Sequence, residues 1–291
     1  MRIGLLTRNE NNWSSVQLRE AIIRQNINFF CFDLQYISAG IGTKQKASIS
    51  NMDLLDYLDA IIVRPIGQGS LDRIIFRMDV LHRIERLGIP IVNSPKSIER
   101  SIDKYHALAL LEESGVPVPR TVATENIDEA MKAFYDLSED VVIKPIFGSR
   151  GIGSARISDP DIAFRVFRAI LFSQGVIYIQ EFIPHGLKDI RAFVIGDHVF
   201  ASMYRLADTW KTNISQGAKP SFLKLNEEME NLAVEAARII GVEVTGVDLL
   251  EGPEGPVIIE LNSQPGWKGL QSVTPKNIAD GIVRYVASKL D

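Results

Sequence analysis

With 291 residues, 46% hydrophobic and 23% charged, the chain has the statistics of a globular protein of two or three compact units rather than a disordered tail. A net charge of −4 excludes a sequence-wide attraction for nucleic acid or anionic lipid and leaves any polyanion to a local basic cleft. The single cysteine, Cys31, excludes an internal disulfide and a cysteine metal cluster and fits a reducing interior.

The opening MRIGLLTRNE lacks the basic-then-apolar order of a secretion signal, and no run approaches the ~20 apolar residues of a membrane span. A cytoplasmic location is therefore expected. Short apolar runs near Ile3, Phe29, Ile61 and Ile89 alternate with helix-period stretches near Leu18 and from Leu71 to Leu87, which predicts a parallel, doubly wound sheet. The strand AIIVRP ends on Arg64, at the carboxyl edge where such sheets take ligands; Arg64 is read either as a substrate contact or as a solvated strand end. Around NSPKSIERSIDK the chain turns polar, and a new helix carries Leu108 and Leu111 on one side.

From Pro119 to Ile183 the order is strand, helix (Ile127 to Leu137), strand (Val141 to Lys144), glycine loop, strand, helix (Asp161 to Leu171), strand (Ile177 to Glu181). This reads as a small α+β unit. Two strands (Ile190 to Ile195, Val199 to Arg205), a polar loop, a helix opened by Asn226 and a hairpin follow. A last helix carries Ile278, Ile282, Tyr285 and Val286 on one stripe.

Three stretches carry chemistry. In VVIKPIFGSRGIG, Lys144 ends a strand and a loop with Gly148, Gly151 and Gly153 follows, able to present backbone N–H groups to phosphate. The spacing is neither a Walker loop nor a dinucleotide fingerprint, and a surface turn with a lysine is the plain alternative. In YIQEFIPHGLKDIRAFVIGDHVFASMYRLA, Gln180 to Ile183 leaves one unit for the next and could pair with an adenine edge, while Asp189 and Arg191 point the same way and Arg205 ends the next strand. The loop after it offers Lys211, Thr212 and Asn213 as phosphate donors; alternating charges of this kind also suit the wet face of a sheet.

The third stretch, TGVDLLEGPEGPVIIELNSQPGW, folds as a hairpin about Glu251 to Pro256, bringing Asp248 opposite or close to Glu260, with Asn262 on the same face two residues on. Two facing carboxylates resist joint ionisation unless a cation lies between them, and hard oxygen donors suit Mg²⁺ or Mn²⁺. A solvent-facing sheet edge is the alternative. His82, His106, His185 and His198 show no metal-ligand spacing and are read as structural or surface residues.

Taken in order, IDK (Ile102 to Lys104), VIKP with its glycine loop, QEFI, DIRAFVIGD, WKTN, GVDLL and ELNSQPGWKG resemble the ATP-grasp superfamily, specifically its RimK-like branch of α-L-glutamate ligases. Any one of these is weak; seven in the family's order outweigh the plain alternatives. The resemblance covers nearly the whole chain. It implies an N-terminal doubly wound α/β pre-ATP-grasp domain (1–100), a central small lid domain (101–184) and a C-terminal domain with the metal site (185–291), the last two α+β and enclosing the nucleotide. It implies that Lys104 and Lys144 hold ATP phosphates while Ser149, Arg150, Gly151, Ile152 and Gly153 close over them. Glu181, Phe182 and Ile183 would line the adenine hinge, Asp189 would lie near the ribose, and Lys211, Thr212 and Asn213 at the phosphate end. Asp248, Glu260 and Asn262 match the ligands of two Mg²⁺ or Mn²⁺ ions, with Glu260 bridging, and Arg205 matches a catalytic arginine that steadies the transferred phosphoryl group.

Two departures stand out. The arginine usual at the WKTN segment is Lys211 here, which keeps the charge but loses the planar fork. The loop between Arg205 and Lys211 is shorter than in the ribosomal-protein ligase of the branch. The implied activity is ATP-dependent amide formation through an acyl phosphate, adding L-glutamate to a carboxylate, without nucleic acid or membrane partners. RIGLLTRNENNW and WKTNISQGAK are most similar to archaeal ligases that extend the pterin cofactor tetrahydromethanopterin, then to those for a deazaflavin coenzyme; a protein C-terminus is a third acceptor. Ligases of the branch are often dimers or tetramers, implying a homo-oligomer. The rival of another class is a synapsin-like protein that binds ATP without catalysis.

Overall fold

The computed structural model describes residues 1–148 and 151–290. The first sheet is parallel throughout, in the order Asn28–Phe32, Arg2–Leu6, Ala60–Val63, Ile91–Val92. Strands covered on both faces need to be apolar on both, and all four residues of Ala60–Val63 are buried. Helix Trp13–Arg24 starts where the Asn12 side chain accepts from the Ser15 amide (2.9 Å), and helix Leu71–Arg86 covers the sheet with Met78, Leu81 and Ile84. A small antiparallel sheet, Ser38–Ala39, Ala47–Ile49 and Met52–Asp53, was not anticipated, because strands of two or three residues are too short for alternation to register.

The second large sheet is antiparallel, in the order Ala155–Ile157, Val141–Lys144, Ile177–Glu181, Thr121–Thr124. Helices Ile127–Asp136 and Pro160–Phe172 bury Phe134 and Phe167 against Ile143 and Ile179. The third is also antiparallel: Lys219–Phe222, His198–Leu206, Lys188–Ile195, Val244–Gly252, Gly255–Asn262. Strand alternation divides its residues between two cores. Ala192 and Val194 pack with helices Lys104–Glu113 and Glu227–Ile240. Phe193 and Ile195 join a core shared with the first sheet, helix Trp13–Arg24 and the last helix, Ile278–Ala287.

The helix Lys104–Glu113 thus sends Ala107, Leu108 and Leu111 into the core of the C-terminal sheet rather than that of the 121–181 unit, although it lies within the 101–184 stretch. Asn93 also ties the units together. Its side chain donates to the carbonyls of Val244 (2.7 Å) and Ser263 (2.5 Å) and accepts from the amides of Glu243 (2.9 Å) and Val244 (2.8 Å). Among the described residues no helix is long and apolar enough to cross a membrane.

Candidate active site

The hairpin forms with strands Val244–Gly252 and Gly255–Asn262, and its register sets Asp248 directly opposite Glu260. A bulge lies beside this pair: Leu249 faces Ile258, so Ile259 is the additional residue. Strict alternation would send Ile259 and Glu260 to opposite faces, yet both line the same cavity. That cavity opens between the 121–181 sheet and the C-terminal sheet.

Cross-strand pairing builds a row of charges on its floor. Asp189 faces Arg205 and Arg191 faces Asp248. The Arg205 guanidinium donates to both Asp189 oxygens (2.6 and 2.5 Å) and lies 3.0 Å from Asp248; Arg191 grips Asp248 with Nε and, at 2.9 Å, with its second nitrogen. Thr212 donates its hydroxyl to Asp189 (2.5 Å). Asp248, Asp189 and Arg205 are 2%, 3% and 4% exposed, so these charges survive burial only by pairing. Burial pushes the Asp248 carboxyl up, but Arg191 and Arg205 outweigh it and hold it below the usual carboxylate range. Burial likewise opposes the charge on Arg205, and Asp248 and Asp189 reverse that, raising it above its usual value.

Glu260 is the exception in this row. It accepts no hydrogen bond from the described residues, and burial together with Asp248 pushes its carboxyl up against the pull of Lys104 and Lys144. A carboxylate so placed beside a second one is relieved by a cation, and two carboxylates with the Asn262 amide form an all-oxygen set suited to a hard divalent ion. Among the described residues no group of three His, Cys, Asp or Glu side chains is gathered, so the amide is needed to complete the set. Asn262 stands opposite Gly246, its amide nitrogen 3.4 Å from that carbonyl, and lies outside the lining of the cavity.

Opposite the carboxylates, Lys104 donates to the Gly148 carbonyl (2.6 Å) and Lys144 to the Gln180 side chain (2.6 Å). Burial drives the Lys144 ammonium down to about 8 despite Glu260. Gly151 has φ +69° and runs against the polar loop: a Cβ there would stand 2.4 Å from Asn213 Oδ1. The far end of the cavity is apolar, with Val142, Ile183, Leu250 and Ile259. Phe182 lies under the Arg156 guanidinium (3.5 Å) and against Trp210 and His185, and its amide donates to the Asp140 carbonyl (2.9 Å). The Glu181 carboxylate turns away to Arg120 (2.6 Å).

The cavity therefore gathers Lys104, Lys144, Gly151, Ile152, Glu181, Phe182, Ile183, Asp189, Arg205, Lys211, Thr212, Asn213, Asp248 and Glu260. Gly153 and Asn262 are not in its lining, and Ser149 and Arg150 lie outside the described residues. Asp189 and Arg205, read from the resemblance as nucleotide contacts, spend their charges on each other. Sequence reasoning missed Arg191 as the partner of Asp248, and His185 and Trp210 as lining residues, while Gln180, read as part of an adenine-edge strand, does line the cavity. Alternation showed that Arg191 shares a face with Asp189, but only the register across to Val244–Gly252 supplies its partner.

The sequence matches the RimK PreATP-grasp domain family over residues 1–98 and the RimK-like ATP-grasp domain family over residues 101–286. The chain belongs to the RimK-like ATP-grasp family. As an ATP-grasp enzyme it is an ATP-dependent, ADP-forming ligase that makes amide bonds. It is 39% identical to the tetrahydromethanopterin:alpha-L-glutamate ligase of Methanocaldococcus jannaschii over 80% of this chain and 82% of that protein. A protein of the same name from Methanosarcina acetivorans is 32% identical over 99% of both chains, and a probable alpha-L-glutamate ligase of Aliivibrio fischeri is 34% identical over 98% of this chain and 95% of that one. The ATP-grasp fold is shared with the ligase PsnB, solved with a minimal precursor, Mg and ADP: TM-score 0.79 at 19% identity, covering 100% of this chain and 97% of that one.

Proposed function

We propose that this ATP-grasp ligase adds L-glutamate to a carboxylate on the tail of a pterin cofactor of the tetrahydromethanopterin kind. The observation that carries this reading is the 32–39% identity, over 80–99% of the chain, to three proteins named for that reaction. Relatives named probable alpha-L-glutamate ligase, at 31–34% identity, support glutamate as the added unit and keep a deazaflavin coenzyme or a protein C-terminus as rival acceptors.

In this reading an acceptor carboxylate oxygen attacks the γ-phosphorus of ATP, ADP leaves, and an acyl phosphate forms; the glutamate amine then attacks the acyl carbon, loses a proton and expels phosphate. No protein nucleophile is required. Lys104 and Lys144 meet the phosphates, and Arg205, in the same lining, is held by Asp189 and Asp248, so its guanidinium would need no reorganisation as negative charge gathers. Asp248, Glu260 and Asn262 would hold the divalent ions, Mg²⁺ or Mn²⁺, which when bound neutralise the phosphoryl oxygens. The apolar slot at Val142, Ile183, Leu250 and Ile259 takes the adenine, and the loop of Gly151 excludes water that would hydrolyse the acyl phosphate.

The test is a screen of pterin, deazaflavin and peptide acceptors with ATP and glutamate, reading ADP and the mass of the product. A pterin extended by glutamate is expected, with one ADP per amide. Turnover with the deazaflavin or the peptide alone would overturn the pterin assignment.

A further inference from the structure

Four arginines are buried among the described residues: Arg64, Arg77, Arg191 and Arg205. Three are spent. Arg77 donates to the Ile66 and Gln68 carbonyls (3.1 Å each), and Arg191 and Arg205 hold aspartates. Arg64, 7% exposed, makes no side-chain hydrogen bond or ion pair with the described residues, and its Nε is fully buried without a partner among them. Burial without a counter-charge lowers its guanidinium to about 10. The Arg64 guanidinium carbon lies 4.9 Å from the centre of the Trp267 ring, and that indole N–H, on a side chain 1% exposed, is the other buried side-chain polar atom left unpartnered among the described residues. Stacking on tryptophan accounts for the face of the guanidinium; it does nothing for the N–H groups in the guanidinium plane.

Both side chains line a second, small cavity where the first sheet meets the turn after the hairpin. Asn93, also in its wall, has its amide filled by four main-chain partners, so Arg64, Trp267 and the Ser263 hydroxyl are the side-chain donors left there among the described residues. The remaining wall is apolar, including Leu18, Val92 and Ile282. Ser263, on the same wall, directly follows Asn262, so this cavity adjoins the carboxylate hairpin through one turn of chain. The chemistry is that of an anion site: a planar fork that matches a carboxylate and an added N–H.

We propose that Arg64 is a substrate-binding residue, its guanidinium together with the Trp267 N–H holding a carboxylate that does not react, carried by either the incoming amino acid or the tail of the acceptor. This rests on the ligase reading above, in which both organic substrates bear such groups.

The test uses the full chain as wild type, Arg64→Met and Arg64→Lys. Glutarate serves as a dicarboxylate probe in a thermal-shift titration, beside steady-state kinetics with ATP, glutamate and acceptor varied in turn. Glutarate should raise the melting temperature of the wild type and leave that of Arg64→Met unmoved. Without ligand, Arg64→Met should melt at or above the wild type, since an uncompensated buried charge is gone. The KM for one organic substrate should rise about 10- to 100-fold, with the KM for ATP unchanged; glutamate or acceptor being the affected one identifies the source of the carboxylate. Arg64→Lys, which keeps charge but not the fork, should fall between and carries the test if Arg64→Met does not fold. A lower melting temperature with no glutarate response in the wild type and both organic KM values unchanged would make Arg64 a structural stacking partner and overturn the proposal. Should the wild type turn over no acceptor yet show an Arg64-dependent glutarate shift, the carboxylate site stands and the ligase reading falls.

Discussion

At the scale of residues, the site is a balance of charges that can be buried only together. Asp189, Arg205, Asp248 and Arg191 form one run of ion pairs, and removing a member strands another. Asp189→Ala should lower the unfolding free energy by about 3 kcal/mol in urea denaturation, because Arg205 keeps only Asp248 and Thr212 loses its acceptor. Lys144 supplies a pH signature. Its folded value of about 8 lies below the ordinary lysine range, so its charge costs stability below pH 8 and that cost vanishes as pH rises toward the unfolded value. A bound phosphate restores the charge. ATP binding above pH 8 should therefore take up a proton, and ATP affinity should fall as pH rises through that point; calorimetry in buffers of different ionisation heat measures the uptake, which Lys144→Met should abolish. The identity of these residues was legible in the sequence, because Asp189 and Arg191 alternate with apolar neighbours. Their pairing was not, because it depends on which strand lies alongside.

At the scale of elements, the hairpin was legible from two apolar runs around a Gly-Pro turn, and the facing of Asp248 and Glu260 follows from its register. The bulge that turns Ile259 inward carries no local signature, since the sequence through VIIELN is compatible with regular pairing. The Gly151 loop is a second case: its glycines were visible, but its approach to Asn213 joins two units distant in sequence. Gly151→Ala should raise the KM for ATP about tenfold through strain and contact with Asn213, while stability changes by less than about 2 kcal/mol because the loop is outside the cores. Asn93→Ala acts oppositely. It orphans four main-chain groups between the first sheet and the hairpin strands and should cost about 3 kcal/mol or more, seen as a lower melting temperature.

At the scale of the whole molecule, alternating apolar runs revealed three sheets in order, and the order of motifs along the chain revealed the family. How the units share cores was hidden: Leu108 and Leu111 sit on a helix preceding the 121–181 unit but pack under the C-terminal sheet, and the final helix completes a core with the first. The cleft between two antiparallel sheets, with lysines on one side and carboxylates on the other, is what makes metal-assisted phosphoryl chemistry the central claim. Manganese binding in the presence of a non-hydrolysable ATP analogue, followed by electron paramagnetic resonance in wild type and Glu260→Gln, tests it most directly. The account predicts two bound ions per wild-type chain and loss of at least one in the variant, with the fold intact by circular dichroism. Equal manganese binding by both proteins would contradict it.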